Sequence, residues 1–316
     1  MQRRWMPRRK APETPQGPPP LPERSVPERL AFSILPVDKP SGPTSHDVVL
    51  KVARTLGVRK AGHGGTLDAG VTGVLPVFLG RATRLSSLLL ASGKEYVCTA
   101  RFHRDVTAGE VEEGTRPFLG TIRQLPPVRS RVKRRVRTRS IHALEVLSVE
   151  GRDAVLRVSC QAGTYIRKLV HDLGASMGVG AHMHRLRRTR SGPYRERDAV
   201  SLETLAKAAR TGDEETLRRF LHPGEELASL FPRLVVDEGA ARAVAFGTAL
   251  AAPGLIGFEA PFEKGDEAAV LDEAGRWIAL VDMLVDAGTL AGMERGLAAR
   301  IRRVLAPRPS EGRPSP

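Results

Sequence analysis

The chain has 316 residues, 41% hydrophobic and 4% aromatic, with a formal net charge of +15. That length has room for two domains with separate cores, and no apolar run approaches the roughly 20 residues a membrane-spanning helix needs. The charge points to a polyanion, most often nucleic acid, and it is uneven: residues 230–305 hold eight basic and eleven acidic side chains, whereas the first 229 residues carry +17. The basic N-terminus lacks the apolar core of a secretory signal. Cys98 and Cys160 make neither a disulfide framework nor a zinc spacing, which fits a reducing, cytoplasmic setting.

In chain order, residues 1–30 are rich in Pro and Arg, with Pro18 to Pro20 in a row, and read as an extended or disordered tail. Phe32 to Val37 is a short apolar strand. DKPSGPTSH, Asp38 to His46, is a rigid turn. Thr44 or Ser45 then caps a helix with Val48, Val49, Val52 and Leu56 on its apolar face and Gly57 at its end. Lys39 and His46 bracket the turn and, taken alone, read as surface residues. AGHGGTLDAGVTGVLPVFLGRATRL follows, Ala61 to Leu85, with Gly62, Gly64, Gly65, Gly70 and Gly73 close around one carboxylate, Asp68. Glycines allow φ > 0 and the close approach of another molecule. The apolar run Val74 to Leu79 gives this loop a strand as its floor. Asp68, near His63, Thr66, Arg81 and Arg84 in sequence, is a candidate reacting group. The plain alternative is an Asp that caps its own turn. A phosphate loop is excluded, because no Gly-Lys-Ser/Thr opens a helix here.

A helix is expected from Arg81 to Ser92, then a strand from Gly93 to Phe102 that carries Tyr96. That ring suits base stacking or a core. Residues 107–125 give weak signals. Seven of the eleven residues from Arg129 to Arg139 are basic and none is acidic. With Val132 and Val136 alternating, they suggest a strand laid along phosphates through Arg129, Arg131, Lys133, Arg134 and Arg135. Ile141 to Val149 and Ala154 to Cys160 read as paired strands. Thr164 is the expected cap of a helix whose stripe is Ile166, Leu169, Val170, Leu173 and Met177. Tyr165 and Arg167 lie off that stripe, so Arg167 is free to reach a carboxylate elsewhere. Arg185, Arg187, Arg188 and Arg190 extend the basic surface. His182 and His184 lack the Cys or carboxylate companions of a metal site. Ser201 to Arg219 is a helical connector, and from Phe231 a second, β-rich unit begins, with an apolar strand at Trp277 to Val281.

Five segments, LPVDKPSGPTSHDVV, AGHGGTLDAGVTGVLPVFLGRATRL, SGKEYV, VSCQAGTYIRKLVHDLG and GAHMHRLRRTRSGPY, together resemble the TruB class of pseudouridine synthases. The last three are most similar to its archaeal, dyskerin-like branch, the catalytic subunit of box H/ACA ribonucleoproteins. The resemblance spans about Phe32 to Leu205 and continues more weakly into a PUA-like module, about Phe231 to Leu305. It implies an α+β fold: a catalytic domain over residues 31–229 with a mixed, largely antiparallel sheet flanked by helices, a small β-barrel-like PUA domain over 230–305, and a disordered tail over 306–316. Asp68 would be the catalytic aspartate. Tyr96 would stack on the flipped base and serve in proton abstraction, and Arg167 would pair with Asp68. Tyr165 and Leu186 would line the pocket, Lys39 and His46 would support the substrate, and Arg187 and Arg188 would join the basic track on RNA. Neither cofactor nor metal is implied. Substrate rRNA or tRNA, a guide RNA and small protein subunits are the implied partners. The chain departs from the usual GTLDP at Ala69, which predicts a slightly looser loop, and residues 104–125 are short for the branch.

Isomerising uridine breaks the N1–C1′ bond, turns the base and rejoins it through C5. An ionised carboxylate beside an electron-poor sugar carbon suits that step, an arginine keeps it ionised, and a flipped base needs a stacking ring and a basic surface. The resemblance implies RNA-guided modification of rRNA. A stand-alone tRNA T-loop enzyme is the near alternative. A non-catalytic RNA scaffold is the distant one, disfavoured because binding alone does not need a buried carboxylate.

Overall fold

The computed structural model describes residues 3–8, 16–125 and 135–307. Arg129, Arg131, Lys133 and Arg134 fall outside the described residues, as does the tail beyond residue 307, whereas Arg135 is described and exposed.

Two compact units divide the chain. The central unit takes Leu35–Phe78 and Leu85–Phe220. Its framework is a mixed sheet whose strands run in the order Val200–Ser201, Phe32–Lys39, Thr72–Gly80, Ala181–Ser191, Lys94–Phe102, Asp153–Cys160, Arg137–Glu150 and Gly120–Gln124. Most pairings are antiparallel, but Thr72–Gly80 runs parallel to Ala181–Ser191, with Gly73 opposite Arg188. The antiparallel partner of that strand, Lys94–Phe102, sets Tyr96 opposite Arg188 and Cys98 opposite Leu186. Three strands thus converge on Arg188.

The helix Ser45–Thr55 starts where its sequence says it should. Thr44 accepts from the Asp47 N–H, and the Asp47 carboxylate reaches back to the Thr44 N–H at 2.9 Å. Such a box satisfies donors the first turn leaves open. The helix buries Val48, Val49 and Val52. The helix Ile166–Ser176 buries Ile166, Leu169, Val170 and Leu173 as expected, but its cap differs. Tyr165, not Thr164, holds the N-cap position and gives no side-chain cap bond. Thr164 instead donates to the Gln161 carbonyl at 2.7 Å. The buried Gln124 amide holds the Tyr165 backbone on both sides, accepting from its N–H at 3.0 Å and donating to its carbonyl at 3.2 Å. Residues 107–125, weakly patterned in sequence, form the helix Ala108–Thr115, boxed by Thr107 and Glu110, and the strand Gly120–Gln124. The helix expected from Arg81 to Ser92 is two pieces, a 3₁₀ turn over Arg81–Leu85 and an α-helix over Ser86–Ala91.

The terminal unit gathers the described parts of Met1–Ile34, Leu79–Arg84 and Leu221–Pro316. Its sheet has the order Arg4–Pro7, Leu255–Ala260, Arg233–Val236, Glu267–Asp272, Trp277–Met283, Leu297–Val304 and Leu250–Ala251. Leu234, Val236, Phe258, Val270, Ala279 and Val281 are among its buried core. The first thirty residues are therefore not wholly unstructured. Arg4–Pro7 is an edge strand on Leu255–Ala260, and Val26–Ala31 is a helix with Ser25 and Glu28 in a capping box. A Pro-rich composition hid an edge strand, the one place in a sheet where Pro7 and its missing N–H cost little.

Candidate active site

The central unit presents Asp68 on the loop between Ala61–His63 and Thr72–Gly80. The Arg167 guanidinium, one residue into its helix, donates to Asp68 Oδ2 at 2.7 Å. Both side chains are open to solvent, 64% and 56% exposed. The carboxylate expected to be buried is exposed.

What is buried is the apparatus under it. Lys39 is 0% exposed. Its ammonium donates to the carbonyls of Pro40 and Val71 at 2.8 Å each and of Ala69 at 3.0 Å. Lys39 thus belongs to the loop's underside, and its ammonium faces backbone rather than the open surface where substrate would lie. Burial lowers its pKa from the ordinary lysine value, against a smaller opposing pull from Asp68. Ser45, buried in the first helical turn, both accepts from the Leu67 N–H at 2.8 Å and donates to the Leu67 carbonyl at 3.0 Å. The Gly42 N–H donates to Ala69 O at 2.9 Å, and the Val71 N–H closes the turn onto Asp68 O at 3.0 Å. Residues 67, 69 and 71 are therefore tied down while the Asp68 side chain between them is left out. On this loop, expected to be slightly looser for want of the proline, Gly42 and Lys39 both hold the Ala69 carbonyl directly.

Arg188 completes the underside. Expected on RNA, it is 1% exposed. Its Nε donates to Val74 O at 2.8 Å and its Nη2 to Gly65 O at 3.2 Å, so it holds both flanks of the Asp68 loop. It also lies opposite Tyr96 in strand register. Burial raises the Tyr96 pKa, and Arg188 opposes that rise. Tyr96 and Leu186, neighbours across the strands, pack half-buried on the central core cluster. Arg187 is also drawn off the expected RNA track. It forks onto Asp38 at 2.9 and 3.1 Å and meets Glu196 as well. On this strand Arg185 is exposed. Tyr165 is half-buried beside Arg167, and His46 is exposed on the helix that carries Ser45. His63 is half-buried, its pKa lowered by burial and by Arg188 and His46 nearby. Among the described residues no group of three or more His, Cys, Asp or Glu is placed to hold a metal ion, and no helix is long and apolar enough to cross a membrane.

Sequence reasoning missed Ser45, Gln124 and the buried role of Arg188. A period of two puts Arg188 on the same sheet face as Leu186. That was the available signal that this arginine points inward with the pocket residue rather than outward with the basic run.

This arrangement offers an exposed, arginine-paired carboxylate on a rigid loop, next to a tyrosine backed by a buried cation. Comparison with known proteins gives the same reading. "TruB family pseudouridylate synthase (N terminal domain)" matches residues 53–166, "tRNA pseudouridylate synthase B C-terminal domain" residues 167–229, and "PUA domain" residues 232–305. A "Probable tRNA pseudouridine synthase B" of Methanopyrus kandleri is 45% identical over 90% of this chain and 85% of its own. That of Pyrobaculum calidifontis is 44% identical over 93% and 90%. Among solved structures, "Crystal Structure of a Cbf5-Nop10-Gar1 Complex" aligns with a TM-score of 0.86 and 39% identity, covering 98% of this chain and 95% of that one. "Structure of H/ACA RNP bound to a substrate RNA containing 2'-deoxyuridine" aligns with a TM-score of 0.86 and 36% identity, over 98% and 96%. The chain belongs to the TruB family of pseudouridine synthases and carries a C-terminal PUA domain.

Proposed function

We propose that this synthase isomerises uridine in rRNA under the direction of a box H/ACA guide RNA, in the cytoplasm, with Asp68 as the catalytic residue. The observation that carries the chemistry is the exposed Asp68–Arg167 pair at 2.7 Å beside Tyr96. A uridine in a folded RNA is reached only after it leaves its stack, at a cost of a few kcal/mol. A protruding carboxylate suits a base delivered from outside. Arg167 engages Oδ2, and among the described residues no side-chain partner is placed on Oδ1. As the N1–C1′ bond breaks, its electron pair goes to the base and the sugar carbon becomes electron-poor, the situation an ionised carboxylate stabilises. The base turns, C5 bonds to C1′, and the C5 proton is lost as N1 regains one. Tyr96 and Leu186 flank the place where the turning base would sit.

The guided reading is supported by the two ribonucleoprotein structures whose protein chain aligns along nearly the whole of this one. Small protein subunits of the kind in the Cbf5 complex and a guide RNA are then its partners, and the PUA domain is the guide's anchor. The curated relatives' names favour a second reading, the T-loop uridine of tRNA. Incubating the purified protein with a T-loop transcript and with an rRNA fragment, each with and without guide RNA and small subunits, separates them. Product on rRNA only with guide and subunits supports the guided reading. Product on bare tRNA alone replaces it with the second. Asp68→Asn is expected to abolish product in every arm. RNA binding without product in any arm would leave a scaffold.

A further inference from the structure

We propose that Gln124 is a positioning residue for Arg167: its amide fixes the residue from which the helix Ile166–Ser176 starts, and so sets the guanidinium that pairs with Asp68. This inference rests on the pseudouridine synthase reading and adds a role to it. Gln124 is 2% exposed, at the end of the strand Gly120–Gln124. Its Oε1 accepts from the Tyr165 N–H at 3.0 Å, and its Nε2 donates to the Tyr165 carbonyl at 3.2 Å. That carbonyl also accepts the first bond of the helix, from the Leu169 N–H at 3.0 Å. Both polar atoms of the Tyr165 backbone are therefore held by one buried side chain. Arg167 follows two residues later, with its Nη2 2.7 Å from Asp68 Oδ2. A neutral amide suits this place, because it offers an acceptor and donors together without burying a charge.

The helix's own sequence gives its start no polar support. Tyr165 makes no side-chain cap bond, and no acidic residue stands in the first turn. Helix ends fray by a residue or two, and the open N–H groups of a first turn disfavour a cation placed there. Arg167 is such a cation, and with its side chain 56% exposed it depends on where the backbone beneath it is held. The turn before the helix is gripped in the same way. The Gln161 N–H donates to the Ser140 carbonyl at 2.8 Å, and Gln161 Oε1 accepts from the Ser140 N–H at 3.2 Å. Gly163, at φ +78°, lies under the Arg139 guanidinium, whose Nη2 is 3.0 Å from where a Cβ would stand. The strands Gly120–Gln124 and Arg137–Glu150, paired with each other, thus hold this turn at both ends, at Tyr165 and at Gln161. The buried stripe sets which face of the helix turns inward, while Gln124 sets the residue at which the helix begins.

The test uses the full chain with the RNA and subunits that support activity. Gln124→Met, which keeps the length of the side chain and loses the amide, is made in the unaltered protein and in Arg167→Lys. Single-turnover rates at saturating RNA, RNA dissociation constants, and amide hydrogen exchange at Tyr165 and Leu169 are measured. Gln124→Met alone is expected to lose about 10- to 100-fold in rate, the scale of a roughly 1 Å misplacement, with RNA affinity within about twofold. Both amides should exchange faster. In the Arg167→Lys background the further loss should stay under about threefold, since the two residues act through one side chain. An unchanged rate, a loss confined to affinity, or an equal fold-loss in both backgrounds overturns the proposal and leaves Gln124 as a support of the fold. Should Gln124→Met fail to fold, Gln124→Asn, one methylene short of reaching both atoms, is read by the same measures and decides by the same outcomes. Absence of product from the unaltered protein sinks the synthase reading and this role with it. Normal product with an unaffected Gln124→Met sinks this role alone.

Discussion

Replacing Lys39 with Met tests whether the clamp beneath Asp68 matters. Methionine keeps the length of the side chain and removes its three donors. Ala69 O retains the Gly42 N–H at 2.9 Å, but Pro40 O and Val71 O lose the ammonium that reaches them at 2.8 Å. A carbonyl stripped of its donor in a buried position costs about 1–3 kcal/mol. Removing a buried ammonium, whose lowered pKa records its desolvation, recovers part of this, and a net loss of about 2–4 kcal/mol is expected. At roughly 2–4 °C per kcal/mol for a domain of this size, the melting midpoint should fall by about 5–15 °C. With the Val71 carbonyl released and the Ala69 carbonyl held by Gly42 alone, the carboxylate loses part of its fixed geometry, and misplacement by about 1 Å is worth about 100-fold in rate. Thermal melting and single-turnover pseudouridine formation at saturating RNA are the assays. A Lys39→Met protein that melts within 2 °C of the unaltered one and reacts at its rate, figures well inside the expected changes, would refute the clamp. A large loss of RNA affinity with an unchanged saturated rate would instead give Lys39 the substrate contact that the sequence suggested.

Ser45→Ala should lower stability by about 1–3 kcal/mol, since it strips both the N–H and the carbonyl of Leu67 of their partner, and chemical denaturation reads it. Gly73→Ala should be worse, about 3–5 kcal/mol or failure to fold: Gly73 has φ +102° and its Cβ would stand 2.2 Å from Arg188 O. Lys94, buried against the carbonyls of Leu90 and Ser92 at 3.2 and 2.6 Å, has its pKa pushed down to about 8 from 10.5, chiefly by burial. Between those two values the unfolded chain binds more protons than the folded one, so this group makes stability rise with pH across the window. The urea midpoint of Lys94→Met should show a smaller rise from about pH 8 to 10.5 than the unaltered protein, and identical slopes would count against a lowered pKa for Lys94.

The side chains of the proposed site were legible because each sits in a local pattern. Asp68 stands alone among glycines, Tyr96 lies on an alternating strand, and Arg167 lies off a clean helical stripe. Their supports were not legible, because a support is defined by what it touches across the fold. Lys39 reads as a surface lysine until the loop 30 residues on supplies two carbonyls to it, beside that of the adjacent Pro40. Ser45 reads as a possible cap, yet Thr44 caps the helix and Ser45 holds Leu67. Arg188 sits in a run so basic that charge masked its position on the inward face, and Arg187 beside it is taken up by Asp38 and Glu196. Basic density in sequence is therefore a poor measure of basic surface here. Two of the run's arginines belong to the framework, and among the described residues Arg185 and Arg135 are exposed members of the proposed track.

The exposure of Asp68 shows why the supports matter more than burial. With 64% of its side chain in solvent, Asp68 is not enclosed by a dry pocket in the free protein. The protein fixes its position instead. Leu67, Ala69 and Val71 are each held through backbone atoms by a side chain that is itself buried, and Gly65 and Val74 are held by Arg188 further out on the two sides. A reaction in which the base leaves the sugar, turns and rejoins it needs room around the carboxylate, which a tight pocket would deny. It also needs the carboxylate to stay in place while the base moves. A loop clamped from beneath and open above meets both demands, with the desolvation left to the incoming RNA.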